Sequence, residues 1–440
     1  MCACAGRGRE MPMLSFKARF GPFRAPHNMT TGRPSMRVSL ILLAIGLAAA
    51  AWRMPHATEP RFLVAPVMAA SEMPSHLATF QMHSLPQPTP SAHASSIAVM
   101  QDGSLRVAWF GGEREGARDV AIHMAQYESR NGEVRPVRIS TEATEGAPAT
   151  TQEGWVSLTR ERLQTLTSRV IRKLGNPVLW VDGAGRLHMH VVSVSYGGWS
   201  GSAINQLVSE DGGHTWTSAR RLILSPLFNL STLVRNQPIM MEDGTLGLPA
   251  YHELIQKWGV WTHLTTDGRV LQSTAMKRYE GGWLQPAVAA LSPTEACAVL
   301  RSATTRTKRV GHAVSSNGGV SWSERTALDV PNPNASVAMI RLMDGSLLMA
   351  ANPLESGRNV LQLFRSRDGG QTWVASRTVE RSADTGAEFS YPFLVQGPDG
   401  SVHLSYTWLR KGIRLCTFTP EWLDAVADDA PAVPNIEGTP

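Results

Sequence analysis

The chain has 440 residues, of which 42% are hydrophobic and 18% charged, with 38 Gly and 28 Pro, a composition that excludes charge-driven disorder, a coiled coil and a protein with many membrane spans. Its formal net charge is +6, but residues 1–61 hold nine basic and two acidic groups, and the remainder holds 33 basic and 34 acidic ones. Because the remainder is nearly neutral, we expect no nucleic-acid partner.

The first predicted element is a basic leader over residues 1–60. Arg37 precedes an uncharged, apolar run at 38–52 that includes four consecutive alanines. A basic residue, an apolar stretch and small residues, in this order, indicate a secretory signal, and the run is shorter than the ~20 residues that span a bilayer comfortably. We expect a cleaved signal or an N-terminal anchor, and a protein exported to the periplasm or the cell exterior. Membrane contact is expected only through an uncleaved anchor at 38–52, in the inner membrane.

A turn motif that recurs after the leader predicts six repeats. Each copy is an Asp-Gly or related turn that is followed by a strand-like segment of alternating polar and apolar residues. Repeats of this kind are typical of a β-propeller, with one four-stranded blade for each copy. The copies are Asp102–Leu105, Ala184–Leu187, Asp243–Leu246, Ser292–Ala296, Asp344–Leu347 and Asp399–Val402. We therefore predict an all-β, six-bladed propeller of four-stranded antiparallel blades over residues 76–425, and a disordered tail at 426–440.

The interval between the first two turns contains an insertion at about residues 140–173. Within it, Leu158, Leu163, Leu166 and Val170 recur with nearly helical spacing. This pattern predicts a short amphipathic helix on the surface of the propeller.

A second repeat has the pattern Ser-x-Asp-x-Gly-x-Thr-Trp. It occurs at Ser209–Trp216 and Ser366–Trp373, with a variant at Ser315–Trp322 and a degenerate copy at Thr266–Gly268. The Asp and hydroxyl groups can satisfy turn amides, the glycines supply positive φ, and the Trp can pack between blades. We therefore interpret these repeats as structural and not as catalytic or calcium-binding.

The cysteines after the leader and the absence of known binding motifs indicate no metal or cofactor. Cys297 and Cys416 each lie alone in an apolar, strand-like segment, which favours two buried free thiols over one disulfide. We find no zinc-ligand spacing and no phosphate-binding loop. We therefore expect neither a metal nor a cofactor.

The second repeat resembles the Asp-box, or BNR, repeats of the sialidase (neuraminidase) superfamily, and the resemblance covers nearly all of residues 85–423. It implies an exo-α-sialidase-like glycoside hydrolase that acts on a glycan with a terminal acidic sugar. The sugar's carboxylate would repel a carboxylate nucleophile, so the family uses a Tyr that a Glu activates. An Asp serves as general acid, and three Arg bind the substrate carboxylate.

Five positions match roles in that family. Asp119 is similar to the general acid, and Arg114 would contact a substrate hydroxyl. Arg301 and Arg358 match two of the three carboxylate-binding arginines. Tyr391, which follows the third Asp-box and precedes a proline, matches the nucleophile.

Two positions depart from the family pattern. His93 lies where the first arginine belongs, and it could contact a carboxylate but would carry a positive charge only when protonated. Gln285 lies where the activating Glu belongs, and glutamine cannot accept a proton, so we expect it only to contact the substrate. Glu388 and Glu253 are the candidate replacement bases, although a regular strand would place Glu388 on the opposite face from Tyr391.

Further polar and aromatic residues at predicted strand ends are candidate sugar contacts. Asn176 and Arg235 present a planar amide and a guanidinium that match vicinal hydroxyl groups, and Trp199 can stack on a pyranose ring. Similar residues in Pro331–Asn334 and Thr407–Arg410 indicate that one face of the propeller is a ligand site.

Two alternative functions remain open on these residues. One is a glycosidase or polysaccharide lyase for a uronic-acid glycan, for which two arginines with His93 would suffice, because Tyr and His are the usual acid and base of lyases. The other is a carbohydrate-binding propeller that retains the Arg and Trp contacts but does not catalyse a reaction.

Overall fold

The protein folds as a ring of β-sheets. The computed structural model describes residues 59–69, 77–130, 133–137, 139–140, 151–152, 155–224, 229–254, 256–276, 282–303 and 307–425. The predicted leader up to residue 58, including the apolar run at 38–52, and the predicted tail at 426–440 lie outside these residues.

The secondary structure is almost entirely β. The strands are β1 (Phe80–Ser84), β2 (Ser91–Val99), β3 (Leu105–Gly112), β4 (Ala121–Arg130), β5 (Glu133–Pro136), β6 (Ile139–Ser140), β7 (Thr151–Gln152), β8 (Trp155–Leu158), β9 (Lys173–Val181), β10 (Leu187–Val194), β11 (Ser202–Ser209), β12 (Thr217–Arg221), β13 (Leu233–Val234), β14 (Ile239–Met240), β15 (Leu246–His252), β16 (Trp258–Leu264), β17 (Val270–Ala275), β18 (Trp283–Ala290), β19 (Ala296–Ser302), β20 (Gly311–Ser315), β21 (Ser323–Arg325), β22 (Ala338–Arg341), β23 (Leu347–Ala351), β24 (Val360–Ser366), β25 (Val374–Arg381), β26 (Phe389–Gln396), β27 (Val402–Trp408) and β28 (Gly412–Phe418). The helices are α1 (Arg160–Thr167), a 3-10 turn (Trp199–Gly201) and α2 (Pro420–Asp424). Within the described residues, no helix is long and apolar enough to cross a membrane.

The strands form six antiparallel blades in the described part of the chain, which confirms the predicted propeller. Blades 1 to 5 are β2 to β5 with β8, β9 to β12, β13 to β17, β18 to β21, and β22 to β25. Blade 6 combines β26, β27 and β28 with β1, which comes from the start of the ring. Phe80 of β1 lies opposite Phe418 of β28 in this pair, so strands from both ends of the propeller close the ring in one sheet.

The first strand of each blade lines a central channel. The later residues of β2, β9, β14, β18, β22 and β26 surround a cavity of about 440 Å³. Each of the six predicted turns connects this inner strand, or its last segment, to the second strand of the blade. The six turns therefore lie at one end of the channel, which we call the turn face, and the inner strands begin at the opposite end.

The Asp-boxes join the third strand of a blade to the fourth, and their side chains satisfy the turn as predicted. Asp211 accepts hydrogen bonds from the Thr215 amide at 2.9 Å and from the Ser209 hydroxyl at 2.7 Å. In the third box, Gly370 has a φ of +92°, and a Cβ there would lie 2.6 Å from the Cys297 sulfur. Glycine is therefore required both for the turn and for the close approach of the box to the preceding blade.

The insertion contains the predicted helix and an unpredicted strand. Helix α1 begins after Thr159, whose hydroxyl caps the Arg162 amide at 3.2 Å, and it buries Leu163. Leu158 lies in β8, which pairs with β4 of blade 1, and Val170 is exposed. Both residues lie outside the helix because Thr159 caps its start and Ser168, in a left-handed conformation, ends it.

A segment at 59–69 packs on the turn face ahead of the first strand. The Phe62 side chain is wholly buried, and its amide donates a hydrogen bond to the Pro293 carbonyl at 2.7 Å. The Met68 amide reaches the Met343 carbonyl at 3.0 Å. The segment therefore contacts blades 3, 4 and 5 and lines the channel at this end.

The two cysteines of the propeller are buried free thiols, as predicted. Cys297 lies in β19 and Cys416 lies in β28, so they belong to different blades. Burial raises the pKa of the Cys297 thiol to about 12, which leaves it protonated and unreactive at neutral pH.

We expect the Trp216→Ala substitution to lower the free energy of unfolding by about 3 to 5 kcal/mol, since it removes a large buried side chain. Trp216 lies in one apolar cluster with Met124 of blade 1 and Leu187 of blade 2. Urea unfolding measures the change, and Val374→Ala on an exposed position of β25 is the control, with an expected change within about 0.5 kcal/mol. An equally small change for Trp216→Ala would contradict the packing role.

The Asp-boxes also predict an acid dependence of stability. Burial raises the pKa of Asp211, but hydrogen bonds from Thr215 and Ser209 outweigh it and hold the pKa at about 2, and Asp368 has a pKa of about 2 for the same reasons. Because these values lie below the ordinary 3.8, the boxes stabilise the fold above about pH 4 and lose this contribution as the pH falls toward 2. Thermal unfolding from pH 5 to pH 2 should show a shallower decline in the Asp211→Asn, Asp368→Asn double variant; parallel curves would argue against it.

Candidate active site

The inner strands carry bulges at the channel end opposite the turn face. Register shifts interrupt β2, β9, β18 and β26 within their first half. A bulge breaks the alternation of a strand and redirects a side chain, and positive φ at non-glycine residues concentrates at functional sites. Near the start of the six inner strands, the residues with positive φ are Ala94, Asn176, Ser231, Gln285, Asn334 and Tyr391. Three of the predicted site residues are among these six, and His93 precedes Ala94.

Two consecutive residues after β13 hold the bulges of β26 and β18. Arg235 donates from one Nη to the Tyr391 and Pro392 carbonyls at 2.5 and 3.0 Å. Asn236 donates from its amide to the Gln285 and Pro286 carbonyls at 3.2 and 3.0 Å. These carbonyls would otherwise be buried without a partner, so blade 3 fixes the backbone that carries both Tyr391 and Gln285.

The Tyr391 hydroxyl lies in a chain of hydrogen bonds with side chains of blade 4. Arg301 at the end of β19 donates from Nη1 to the Tyr391 hydroxyl at 3.0 Å and to Gln285 Oε1 at 3.1 Å. Its Nε donates to Asn334 Oδ1 at 2.7 Å. The sequence places Tyr391 and Arg301 90 residues apart, and the ring of blades brings them into contact.

Three guanidinium groups surround the Tyr391 ring. Arg235, Arg358 and Arg301 lie 5.4, 5.8 and 6.0 Å from the ring centroid. Burial alone raises the pKa of the Tyr391 hydroxyl, but Arg301 and Arg358 outweigh burial and bring the pKa below its ordinary value. The arrangement therefore makes the phenol easier to ionise than an ordinary tyrosine and offers cationic contacts to an anionic ligand.

The guanidinium of Arg235 is directed at the backbone and not at the channel opening. The side chain is 1% exposed, and its Nε and Nη1 have no hydrogen-bond partner among the described residues. Burial lowers the pKa of Arg235 to about 10, which still leaves it charged at neutral pH. Its contacts with the Tyr391 segment are those of a group that positions the bulge.

Glu388 lies at the centre of an ionic cluster beside this site. Its carboxylate accepts hydrogen bonds from Arg358 at 2.8 Å, from Arg410 at 3.0 Å and from the Ser390 hydroxyl at 2.5 Å. Burial raises its pKa, but these three partners outweigh burial and lower it. The strand does bend at the bulge, as a contact between Glu388 and Tyr391 would need. Glu388 is nevertheless linked to Tyr391 through Arg358, and the lowered pKa of Glu388 makes it a weak base.

His93 packs directly against the nucleophile candidate. Its ring centroid lies 4.2 Å from that of Tyr391, and its Nδ1 is 3.0 Å from the Thr407 hydroxyl. Burial lowers the pKa of His93 well below 6.5, and four arginines, of which Arg410 contributes most, lower it further. A carboxylate contact that depends on protonated His93 is therefore unfavourable here. The buried Nε2 atom has no hydrogen-bond partner among the described residues.

Tyr251 joins the site although the sequence pattern did not single it out. Its hydroxyl accepts hydrogen bonds from Gln285 Nε2 and Asn176 Nδ2, each at 3.2 Å. Burial and the nearby Glu253 raise the pKa of Tyr251, so it stays protonated at neutral pH and keeps its own hydrogen for donation. Trp199 lies next to this group, since a Cβ on Gly175 would come within 2.7 Å of its indole.

The loop after β3 extends beside the cluster and carries two of the predicted residues. Asp119 and Arg114 are exposed, and the Asp119 carboxylate accepts a hydrogen bond from the Glu113 amide at 2.7 Å. Glu115 of the same loop pairs with Arg410 at 2.7 Å, which links the loop to the Glu388 cluster. Among the described residues, Glu115 thus connects this loop to the cluster, and the roles of Asp119 and Arg114 stay predictions.

Glu253, the other candidate base, lies at the end of β15 beside Tyr251. Burial raises the pKa of its carboxyl group, while Arg301 and Lys257 lower it and Glu115 raises it, with a net rise. A carboxyl with a raised pKa is a better proton acceptor than an ordinary carboxylate. Over the described ranges, no three His, Cys, Asp or Glu side chains converge as a metal site would require.

The sequence and the fold have recognisable relatives. Residues 103–404 match the BNR repeat-like domain, and no curated protein matches the chain. The fold is similar to a Hadza microbial sialidase, at 15% identity and a TM-score of 0.55 over 75% of this chain and 66% of that one, just under two thirds of its length. It is also similar to the intramolecular trans-sialidase from Ruminococcus gnavus, at 13% identity and a TM-score of 0.54 over 78% of this chain and 98% of that one. A third similar fold is that of the NanB sialidase from Streptococcus pneumoniae, at 9% identity and a TM-score of 0.54 over 80% of this chain and 71% of that one. The chain thus belongs to the BNR repeat-like family and has a propeller fold similar to that of these sialidases.

Proposed function

We propose that the protein is an exo-α-sialidase-like glycoside hydrolase that removes a terminal acidic sugar from a glycan. The observation that carries this proposal is the contact of the Tyr391 hydroxyl with Arg301, at 3.0 Å, inside a group of three arginines. A phenol oxygen next to cationic groups can approach an anionic sugar that would repel a carboxylate.

Arg301 and Arg358 are the proposed ligands of the sugar carboxylate. The hydrogen-bond partners of Arg301 among the described residues are all uncharged groups, so a bound carboxylate would supply a counter-ion close to it. Arg358 already pairs with Glu388, which orients its guanidinium beside the Tyr391 ring. A planar guanidinium also matches the two oxygens of a carboxylate.

In the proposed reaction, the Tyr391 hydroxyl loses its proton to water, and its oxygen forms a bond to the anomeric carbon as the bond from this carbon to the leaving oxygen breaks. The leaving oxygen takes a proton from a general acid, for which Asp119 is the proposed donor. Water then attacks the anomeric carbon and gives a proton to the Asp119 carboxylate, while the bond from this carbon to the Tyr391 oxygen breaks and its electron pair returns to that oxygen. We further propose that the enzyme is exported and meets its glycan outside the cytoplasm.

A uronic-acid glycan is the second candidate substrate, and the neutral His93 favours it. The ring of His93 contacts that of Tyr391, and Gln285 provides no carboxylate base. A neutral imidazole beside a tyrosine is a suitable pair for proton abstraction and donation in a lyase.

We expect the full chain to release the fluorophore from a fluorogenic α-sialoside, and Tyr391→Phe to reduce kcat/KM at least about a hundredfold because it removes the nucleophilic oxygen. Asp119→Asn should lower kcat on a substrate with a poor leaving group. The matched control is Tyr127→Phe, which removes a buried hydroxyl from blade 1 and should leave the rate unchanged.

Turnover that survives the Tyr391→Phe substitution would exclude the proposed nucleophile. If the folded wild-type chain does not cleave the sialoside, the sialidase assignment fails. A screen of uronic-acid glycans for cleavage, for an unsaturated product and for binding would then separate the lyase from the non-catalytic alternative.

A further inference from the structure

The proposed sialidase-like mechanism requires an activated tyrosine, yet a glutamine amide occupies the position where the family has the activating carboxylate. Gln285 is 2% exposed and lies in the β18 bulge with a φ of +50°. Asn236 donates hydrogen bonds to the carbonyls of Gln285 and Pro286, so the Gln285 side chain projects from a fixed backbone. This buried amide lies next to the residues that contact Tyr391.

The hydrogen bonds fix which way the amide points. Arg301 has only donors, so the Gln285 atom 3.1 Å from its Nη1 is the oxygen. The Gln285 nitrogen then faces the Tyr251 hydroxyl, to which it donates at 3.2 Å, and Gln285 lowers the pKa of the neighbouring Tyr391. An amide nitrogen has two hydrogens, enough for both hydroxyl groups.

Because Gln285 is uncharged, it does not neutralise the positive charge of Arg301. Among the described residues, the hydrogen bonds of this guanidinium go to the uncharged side chains of Gln285, Asn334 and Tyr391. A glutamate at residue 285 would place a negative charge on Arg301 and cancel much of its effect. A glutamine leaves the positive charge of Arg301 available to the oxygen of Tyr391.

We propose that Gln285 and Arg301 together stabilise the ionised, phenolate form of Tyr391, so that a cation and an amide donor replace the carboxylate base. The O–H bond of Tyr391 breaks, the proton passes to solvent water, and the electron pair stays on the oxygen. Tyr391 is half-buried, so water can reach it. The catalytic meaning of this inference rests on the proposed function, but the ionisation itself does not. Gln285 is here a positioning residue, since it acts through Tyr391.

Other groups that face Tyr391 act in both directions. Arg358 precedes β24, Arg235 follows β13, and both favour the phenolate by their positive charge. Glu115 from the loop after β3 opposes it. Other neighbours among the described residues are the neutral His93 on β2, the neutral Tyr251 on β15, and the paired Arg410 and Glu388. Glu253 after β15 interacts with Arg301 through its charge.

The test is an ultraviolet titration of the full chain near 295 nm, where tyrosinate absorbs. Subtracting the titration of the Tyr391→Phe variant isolates Tyr391 from the five other tyrosines of the sequence. We expect a midpoint below the ordinary value of about 10. In Gln285→Met, which keeps the length but removes the donor, the midpoint should rise by about 1 to 2 pH units, the effect of one hydrogen bond to a charged group.

Gln285→Glu keeps the shape more closely and should also raise the midpoint, because a carboxylate neutralises Arg301 and repels the phenolate. The matched control is Gln206→Met, which removes another 2% exposed glutamine, on blade 2, and should leave the midpoint unchanged. Circular dichroism at each pH verifies that the variants remain folded.

A wild-type midpoint at or above 10, or one that neither Gln285 variant moves, would overturn the inference. A purely structural role for Gln285 predicts that second result. The two proposals also fail separately. A low, Gln285-dependent midpoint without sialoside turnover rejects only the proposed substrate, and turnover with an ordinary Tyr391 midpoint rejects only the phenolate.

Discussion

The candidate site depends on one pair of consecutive residues, Arg235 and Asn236, which hold the backbone carbonyls of two bulges on other blades. Tyr391 and Gln285 both have positive φ, a conformation that costs roughly 1 to 3 kcal/mol and persists only when its surroundings fix it. The two side chains of blade 3 supply that constraint. The fixed backbone keeps both polar side chains within hydrogen-bond distance of Arg301.

This constraint makes the site a property of the whole ring. His93, Asn176, Tyr251, Arg301, Arg358 and Tyr391 come from blades 1 to 6 in that order. The pairing of β1 with β28 closes the ring and sets blade 6 beside blade 1, which brings the rings of Tyr391 and His93 into contact. A cluster of like charges is tolerable there because Glu388 and Glu115 neutralise its outer members, while Arg301 remains without a carboxylate partner among the described residues.

The sequence was sufficient for the architecture because the turns and Asp-boxes are local patterns, each complete within a few residues. The roles of Tyr391 and Arg301 could be proposed from family resemblance, but their contact could not, since it joins residues 90 positions apart. Tyr251 was missed because its partners, Gln285 and Asn176, lie on other blades. A signal for the bulges was present: Asn176, Gln285 and Tyr391 each precede a proline inside an inner strand, where proline is otherwise disfavoured.

The segment at 59–69 covers one end of the central channel. Phe62 is buried on the turn face, whereas the arginines and Tyr391 lie where the inner strands begin, at the other end of the channel. Residues 59–69 therefore occupy the channel end opposite the site. A ligand at Tyr391 and this segment would not compete for the same end of the channel.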